Sequence, residues 1–205
     1  CALPISAIST KVGVIKVIII GESAVGKTSL LSVLENGRVA GNVVATTGVD
    51  THTKDVTVNG ATFHMRLFDT AGQEKYRSIA ASYYRDINAA IIVYDITNKK
   101  SFDNIEYWVK QIQDNTKQFC FKALIGNKLD LESTRTVTAE EAKALAAKLG
   151  LEYFETSAQT TTNVDTAFTK IAESTVIESQ KKGIMLNPNA HANVAAKAES
   201  SGGCC

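Results

Sequence analysis

Near-continuous apolar stretches alternate along the chain with stretches in which apolar residues recur every three or four positions. Val12-Gly-Val-Ile-Lys-Val-Ile-Ile-Ile20 is β-branched and almost unbroken, as a strand buried on both faces should be. Ala89–Tyr94 and Phe121–Ile125 read the same way. A helical period runs through Phe102, Ile105, Val109 and Ile112, with Ser101 as the predicted N-cap. Thr138 with Glu141 makes a capping-box pair; Leu145 and Leu149 follow on one face, and Gly150 supplies a stop. Val164, Phe168 and Ile171 mark a last helix. One pair of elements departs from the alternation. Asn59-Gly60 is a strong hairpin signal, because a type I′ turn needs positive φ at both central residues. Behind it Phe63, Met65 and Leu67 alternate with Thr62, His64 and Arg66, which predicts a strand with one buried face. The sum is a three-layer α/β domain: a mostly parallel six-stranded sheet with one antiparallel strand and helices on both faces.

This pattern spans residues 12–181. Residues 1–11 precede it as an N-terminal extension. Residues 182–205 contain no aromatic side chain and no sustained period, too little apolar surface to offset the entropy of ordering, so a flexible C-terminal tail is expected. Among 205 residues, 22 Lys and Arg face 21 Asp and Glu, a net charge of +1. That balance lacks the basic footprint of a nucleic-acid-binding protein, and no nucleic-acid partner is expected. No apolar run approaches the roughly 18 residues that span a bilayer, and Lys16 interrupts the best one. The opening CALPISAIST lacks the basic flank of a signal peptide. Cys1, Cys120, Cys204 and Cys205 have neither zinc-site nor disulfide-framework spacing, and His52, His64 and His191 show no metal spacing. The chain nevertheless closes on two adjacent thiols.

Chemistry enters at Gly21-Glu-Ser-Ala-Val-Gly26-Lys27-Thr28, which satisfies G-x-x-x-x-G-K-[ST] between a predicted strand and a predicted helix. In such a loop the backbone N–H groups of Glu22, Ser23, Ala24, Val25, Gly26, Lys27, Thr28 and Ser29 curl around phosphate oxygens, and the helix dipole adds to the field. Lys27 would neutralise the β- and γ-phosphates, and the Thr28 hydroxyl would ligate Mg²⁺. Asp69-Thr-Ala-Gly72-Gln73 follows a strand ending at Phe68. Asp69 at the strand end can hold Mg²⁺ through a water. Gly72 can offer its N–H to a γ-phosphate, and Gln73 is placed to orient an attacking water. Asn127-Lys128-Leu-Asp130 follows the third apolar strand. An ionised Asp130 only accepts hydrogen bonds, and guanine's edge offers two adjacent donors where adenine would leave the carboxylate unpaired. Ser157 and Ala158, within Glu155-Thr-Ser-Ala158, can add a backbone N–H to guanine O6.

The P-loop, DTAGQ, NKLD and ETSA in this order resemble the Ras superfamily of small GTPases. Thr46-Thr-Gly-Val-Asp50, Lys75-Tyr-Arg-Ser-Ile79, Tyr83-Tyr-Arg85, Val93-Tyr-Asp-Ile-Thr97 and the terminal Cys204-Cys205 resemble the Rab family in particular. The resemblance implies a P-loop NTPase G domain that cycles between GTP and GDP, hydrolyses GTP slowly with Gln73 and Lys27 as catalytic residues, and regulates vesicle-mediated membrane trafficking. It implies that Thr46 ligates Mg²⁺ and senses the γ-phosphate, that residues 38–51 and 69–85 are switch segments, and that Thr47, Thr51, Phe68 and Tyr83 form the effector surface. Cys204 and Cys205 would carry two lipid chains, since one chain binds membranes only marginally; the C-a-a-X pattern is not met, because residue 202 is Gly. The implied partners are an exchange factor, a GTPase-activating protein, effectors, a GDP-dissociation inhibitor and the prenylation machinery. A monomer is implied on the cytoplasmic face of an intracellular membrane, with a cytosolic pool. The chain departs from the family where Thr47 replaces an aliphatic residue, Thr51 a Phe, Phe68 a Trp, Val39 the aromatic flanking guanine, and Gln159 a frequent Lys. Two other readings stay open: a membrane-tethered GTP-binding module with vestigial hydrolysis, and an ATP-using P-loop enzyme.

Overall fold

A computed structural model describes residues 11–39, 41, 46, 48–70 and 83–186. The elements follow in the order β1 (Lys11–Ile20), α1 (Lys27–Asn36), β2 (Val49–Val58), β3 (Ala61–Thr70), β4 (Ala89–Asp95), α2 (Lys99–Asp103), α3 (Ile105–Asn115), β5 (Phe121–Asn127), a 3₁₀ turn (Leu129–Thr134), α4 (Ala139–Leu149), β6 (Glu152–Glu155) and α5 (Val164–Lys181). One six-stranded sheet has the order β2-β3-β1-β4-β5-β6. Every pairing is parallel except β2 with β3.

Strand β1 is apolar from Val17 to Ile20 because that stretch has no solvent face. Ile15, Val17 and Ile19 enter one core with Leu30 and Leu31 of α1 and Phe168, Ile171 and Ala172 of α5. Ile18 and Ile20 enter the other with Ile105, Val109 and Ile112 of α3 and Ala142 and Ala146 of α4. Each Val, Leu, Ile or Phe among them contributes about 1.5–3 kcal/mol on burial. The hairpin forms at Asn59 (φ 51°) and Gly60 (φ 79°), as its type I′ chemistry requires. Phe63, Met65 and Leu67 are buried, while Thr62, His64 and Arg66 are only partly so.

Two local expectations need correction. Ser101 is not an N-cap. Asn98 caps α2 by accepting from the Ser101 N–H, and Ser101 is buried, its Oγ donating to Asn98 O (2.7 Å) and accepting from the Asp95 N–H (3.0 Å). The apolar period from Phe102 to Ile112 also spans two helices, interrupted at Asn104 (φ −84°, ψ 0°), whose Nδ2 donates to Glu22 Oε1 of the P-loop (3.0 Å). The Thr138 hydroxyl does accept from the Glu141 N–H (3.1 Å), but the Glu141 carboxylate pairs with Lys99. Gly150 ends α4 in the left-handed region (φ 66°). Trp108 is buried, and Cys120 is half-buried beside β5 with its thiol pushed up to about 12 by burial.

Beyond α5 the chain returns to the sheet. Leu186 joins the α1 and α5 core, and a Cβ at Gly13 would stand 2.5 Å from Leu186 O, so glycine is what admits this crossing. Packed structure therefore extends past residue 182. Among the described residues no helix is long and apolar enough to cross a membrane.

Candidate functional site

The parallel strands β1, β4 and β5 deliver their C-terminal ends, with the C-terminal end of β3, to one edge of the sheet. That edge is where ligands bind in open α/β sheets. After Ile20 the backbone turns at Gly21 (φ 139°), where a Cβ would lie 2.2 Å from Val93 O. Ser23 and Ala24 form an exposed crest, Ala24 itself left-handed (φ 63°), and Val25 is buried. Gly26 (φ 97°) leaves no room for a side chain: its Cβ would meet Asn127 Nδ2 at 2.3 Å. Helix α1, which carries Thr28 and Ser29 in its first turn, then begins with no side-chain cap and no acidic residue there. Its free N–H groups and dipole favour an anion. Lys27 curls back over the loop, Nζ donating to Gly21 O (2.9 Å) and Glu22 O (2.8 Å). Burial lowers its pKa to about 8, against the opposing pull of Asp69 and Glu22.

Asp69 near the end of β3 is fully buried. Its Oδ2 accepts from Thr28 Oγ1 (2.6 Å) and Thr46 Oγ1 (3.3 Å), and the two hydroxyls are 2.7 Å apart. Oδ1 is buried with no hydrogen-bond partner among the described residues. Burial raises the Asp69 pKa, with the Thr28 hydroxyl and the Lys27 charge opposing. A buried carboxylate with an open oxygen beside two hydroxyls is a hard-oxygen donor set of the kind Mg²⁺ prefers. Gly72 and Gln73, read as completing this end, lie outside the described residues, as do Thr47, Cys204 and Cys205.

At the other end, Asn127 is buried and engaged with protein on both sides. Nδ2 donates to Val25 O (2.9 Å), and Oδ1 accepts from the Ala158 N–H (3.3 Å) and Thr156 Oγ1 (3.3 Å). It is a rivet between the P-loop and the segment after β6. Lys128 is left-handed (φ 71°), and its Nζ lies 2.7 Å from Asp95 Oδ2. Asp130 is exposed and accepts from Ser157 Oγ (2.5 Å), which is itself buried. A cavity of about 280 Å³ is bounded by Gly26, Ser29, Val39, Asp130, Ala158 and Gln159.

Sequence reasoning missed Asp95. Burial pushes its carboxyl up, but the Lys128 ammonium and the Thr97 N–H (2.8 Å) and hydroxyl (2.7 Å) outweigh that and hold it below the usual carboxylate range. The signal was available, since Asp95 closes the apolar strand β4 much as Asp69 lies at the end of β3. Gly126 was missed as well; a Cβ there would stand 2.7 Å from the buried Tyr94 hydroxyl. On the β2–β3 surface, Thr51 is exposed opposite Phe68, whereas Phe68 sits in the α3-side core with the Tyr83 ring tilted against it at 5.2 Å. His52 and His64 pair with Glu35 and Asp55, and no cluster of three metal-ligating side chains occurs among the described residues.

The fold and cradle define a P-loop nucleotide-binding domain of the G-domain type. Residues 16–177 match the Ras family. The chain is 45% identical over 159 residues to Ras-related protein Rab-26 of Mus musculus, covering 77% of this chain and 61% of that protein. It is 43% identical over 159 residues to Ras-related protein Rab-37 of Mus musculus (77% and 71%). It is 40% identical over 164 residues to Ras-related protein Rab-13 of Canis lupus familiaris (80% and 81%). The match thus spans about three fifths of the Rab-26 relative's length. The chain belongs to the Ras family, among its Rab-type small GTPases.

Proposed function

We propose that this chain is a GTP/GDP switch that hydrolyses GTP slowly and, in its GTP state, recruits effectors in vesicle-mediated membrane trafficking. The observation that carries the reading is the spacing of two complementary ends around one cavity: an uncapped helix N-terminus with Lys27 for phosphates, and the Asp130 carboxylate for a base with adjacent donors. Asp130 accepts from guanine N1–H and N2–H₂, and the Ala158 N–H, which makes a long 3.3 Å contact to Asn127 Oδ1, is shared with O6. Lys27 and the loop N–H groups from Glu22 to Ser29 stabilise charge on the transferring phosphoryl. Thr28, Thr46 and, through a water, Asp69 would hold Mg²⁺, which neutralises phosphate charge when bound. Gln73 orients the attacking water, and Gly72 donates to the γ-phosphate.

No arginine stands in the P-loop crest, where residues 23 and 24 are Ser and Ala. Intrinsic turnover is therefore slow, on the order of 10⁻⁴ to 10⁻³ s⁻¹, as for Ras without its activator, and an activating protein is required. Residues 12–181 act as the GTPase domain, between an extension (1–11) and a tail (182–205) whose first residues, to Leu186, pack back on the domain. An exchange factor, a GDP-dissociation inhibitor and prenylation machinery act on this monomer. Two lipid chains on Cys204 and Cys205 hold it on the cytoplasmic face of an intracellular membrane, with a cytosolic pool. Titration with GTP, GDP and ATP followed by single-turnover hydrolysis tests the reading. Guanine preference with slow turnover is the expected result; ATP preference overturns it, and tight GTP binding without turnover even with an activator points to a vestigial switch. Deleting Cys204 and Cys205 tests the anchor: an unchanged membrane fraction removes it.

A further inference from the structure

We infer that Arg135 is a positioning residue for guanine recognition, clamping the turn that carries Asp130 to the strand end that leads into Ser157 and Ala158. The inference rests on the guanine reading above. The 3₁₀ turn Leu129–Thr134 has no fully buried side chain and departs from helical geometry at Leu131 (φ −98°, ψ 30°). Two hydrogen bonds tie the start of the turn to the segment after β6, Leu129 N–H to Thr156 O (3.0 Å) and Ser157 Oγ to Asp130 (2.5 Å), and apolar packing adds little. Arg135, the residue that ends the turn, ties its other end to the same segment. Its Nε donates to both Glu132 carboxylate oxygens (2.9 Å each), and Nη2 reaches the same group. Its Nη1 donates to Glu155 Oε1 (2.7 Å) and Val137 O (3.1 Å), and Nη2 to Glu155 Oε2 (3.2 Å).

The Arg135 side chain is 12% exposed, so water screens these contacts weakly, and Glu155 Oε1 also accepts from the Tyr153 hydroxyl (2.6 Å). A planar fork of donors meets both oxygens of each carboxylate at once, a geometry that the point charge of an ammonium does not reproduce. Glu155 closes β6, two residues before Ser157, whose hydroxyl donates to Asp130. Guanine is read by an acceptor on the turn and a donor N–H at Ala158, and both must be at the right separation together. Arg135 stiffens that separation, beyond the direct Ser157–Asp130 and Leu129–Thr156 bonds, without touching the cavity.

A double-mutant cycle on the full chain tests this, reading GDP affinity for wild type, Arg135→Met, Asp130→Ala and the double variant. Arg135→Met is expected to weaken GDP about tenfold in the wild-type background and less than about twofold once Asp130 is gone, since the clamp then has nothing to position. GDP is also expected to lose more than IDP, which lacks the 2-amino donor. Equal losses in both backgrounds, with an unchanged GDP-to-IDP ratio, would mean a merely structural role and overturn the inference. Should Arg135→Met not fold, Glu132→Gln decides by the same cycle, because Glu132 is 61% exposed and its change spares the core. A wild type that binds GDP no tighter than ADP defeats the guanine reading itself; a wild type with guanine preference but an additive cycle defeats only the role of Arg135.

Discussion

Lys128 Nζ meets Asp95 Oδ2 at 2.7 Å, joining the end of β4 to the first residue after β5. The contact matters because Lys128 is a non-glycine residue in the left-handed region (φ 71°), a conformation that costs roughly 1–3 kcal/mol and persists only when its surroundings impose it. The Asp95 side chain is 8% exposed and Lys128 32%, so the pair sits between surface and core. Asp95→Asn is expected to lower stability by about 1–2 kcal/mol, read from the urea midpoint. Because the folded Asp95 carboxyl lies below its ordinary value, its contribution is present above the unfolded pKa, about 3.9, and is lost as pH falls through the folded one. The gap between wild type and variant should be constant from about pH 6 to 8 and close below about pH 4. A gap that persists in acid would assign the effect to shape instead of charge.

Lys27 gives a second pH signature. Burial lowers its pKa to about 8 in the nucleotide-free protein, and phosphates raise it again on binding. Nucleotide binding should therefore take up close to half a proton at about pH 8 and almost none near pH 6.5. Calorimetry in buffers of different ionisation enthalpy reads the uptake directly, and affinity should fall as pH rises through this value. Uptake that does not vary with pH would place the titrating group elsewhere.

The Gly26 backbone stands in the left-handed region with its missing Cβ 2.3 Å from Asn127 Nδ2. Gly26→Ala would strain the loop and push Asn127 off Val25 O, separating the P-loop from the segment that holds Ala158. The expected loss in GDP affinity is at least about 100-fold, or roughly 3 kcal/mol, with a smaller fall in melting temperature. A variant that melts normally and binds normally would show that the rivet does not carry the site.

How much of this was legible beforehand depends on whether the constraint lies along the chain or across it. The strands, the antiparallel hairpin and the P-loop announce themselves by period, by Asn59-Gly60 and by a fixed glycine spacing, all local properties. Asn98 and Asn104 displaced the expected cap at Ser101 because two candidate caps stood within a few residues and only burial of Ser101 distinguishes them. Arg135 and Asp95 act through partners 20 and 33 residues away. A strand end marks Asp95 itself, but nothing in a linear pattern marks which partner either residue takes. Asn127, read as a group that meets the nucleotide, lines the cavity, and both ends of its amide are also engaged with protein, which no linear pattern announces.

Gln73→Leu keeps the binding groups of the cradle and removes only the amide that would orient water. GTP affinity should stay within about threefold of wild type, while activator-stimulated hydrolysis falls by about two orders of magnitude or more. Undiminished stimulated turnover would remove Gln73 from the reaction.

Asp69 offers a test in which stability and ligand binding move in opposite directions. Its folded pKa lies above the unfolded one, so the native carboxyl loses stability as pH rises from the unfolded value through the folded one. Once ionised without metal, Asp69 is a liability: buried, with Oδ1 unpartnered among the described residues. Asp69→Asn keeps an acceptor for the Thr28 and Thr46 hydroxyls and removes the charge. In EDTA the variant should melt a few degrees higher than wild type. In Mg²⁺ and GDP the order should reverse, because only the carboxylate gives a divalent cation the charge that offsets its dehydration. Thermal melts under the two conditions decide it. A variant that melts lower in both would make Asp69 a structural anchor of β3 whose charge serves the fold itself.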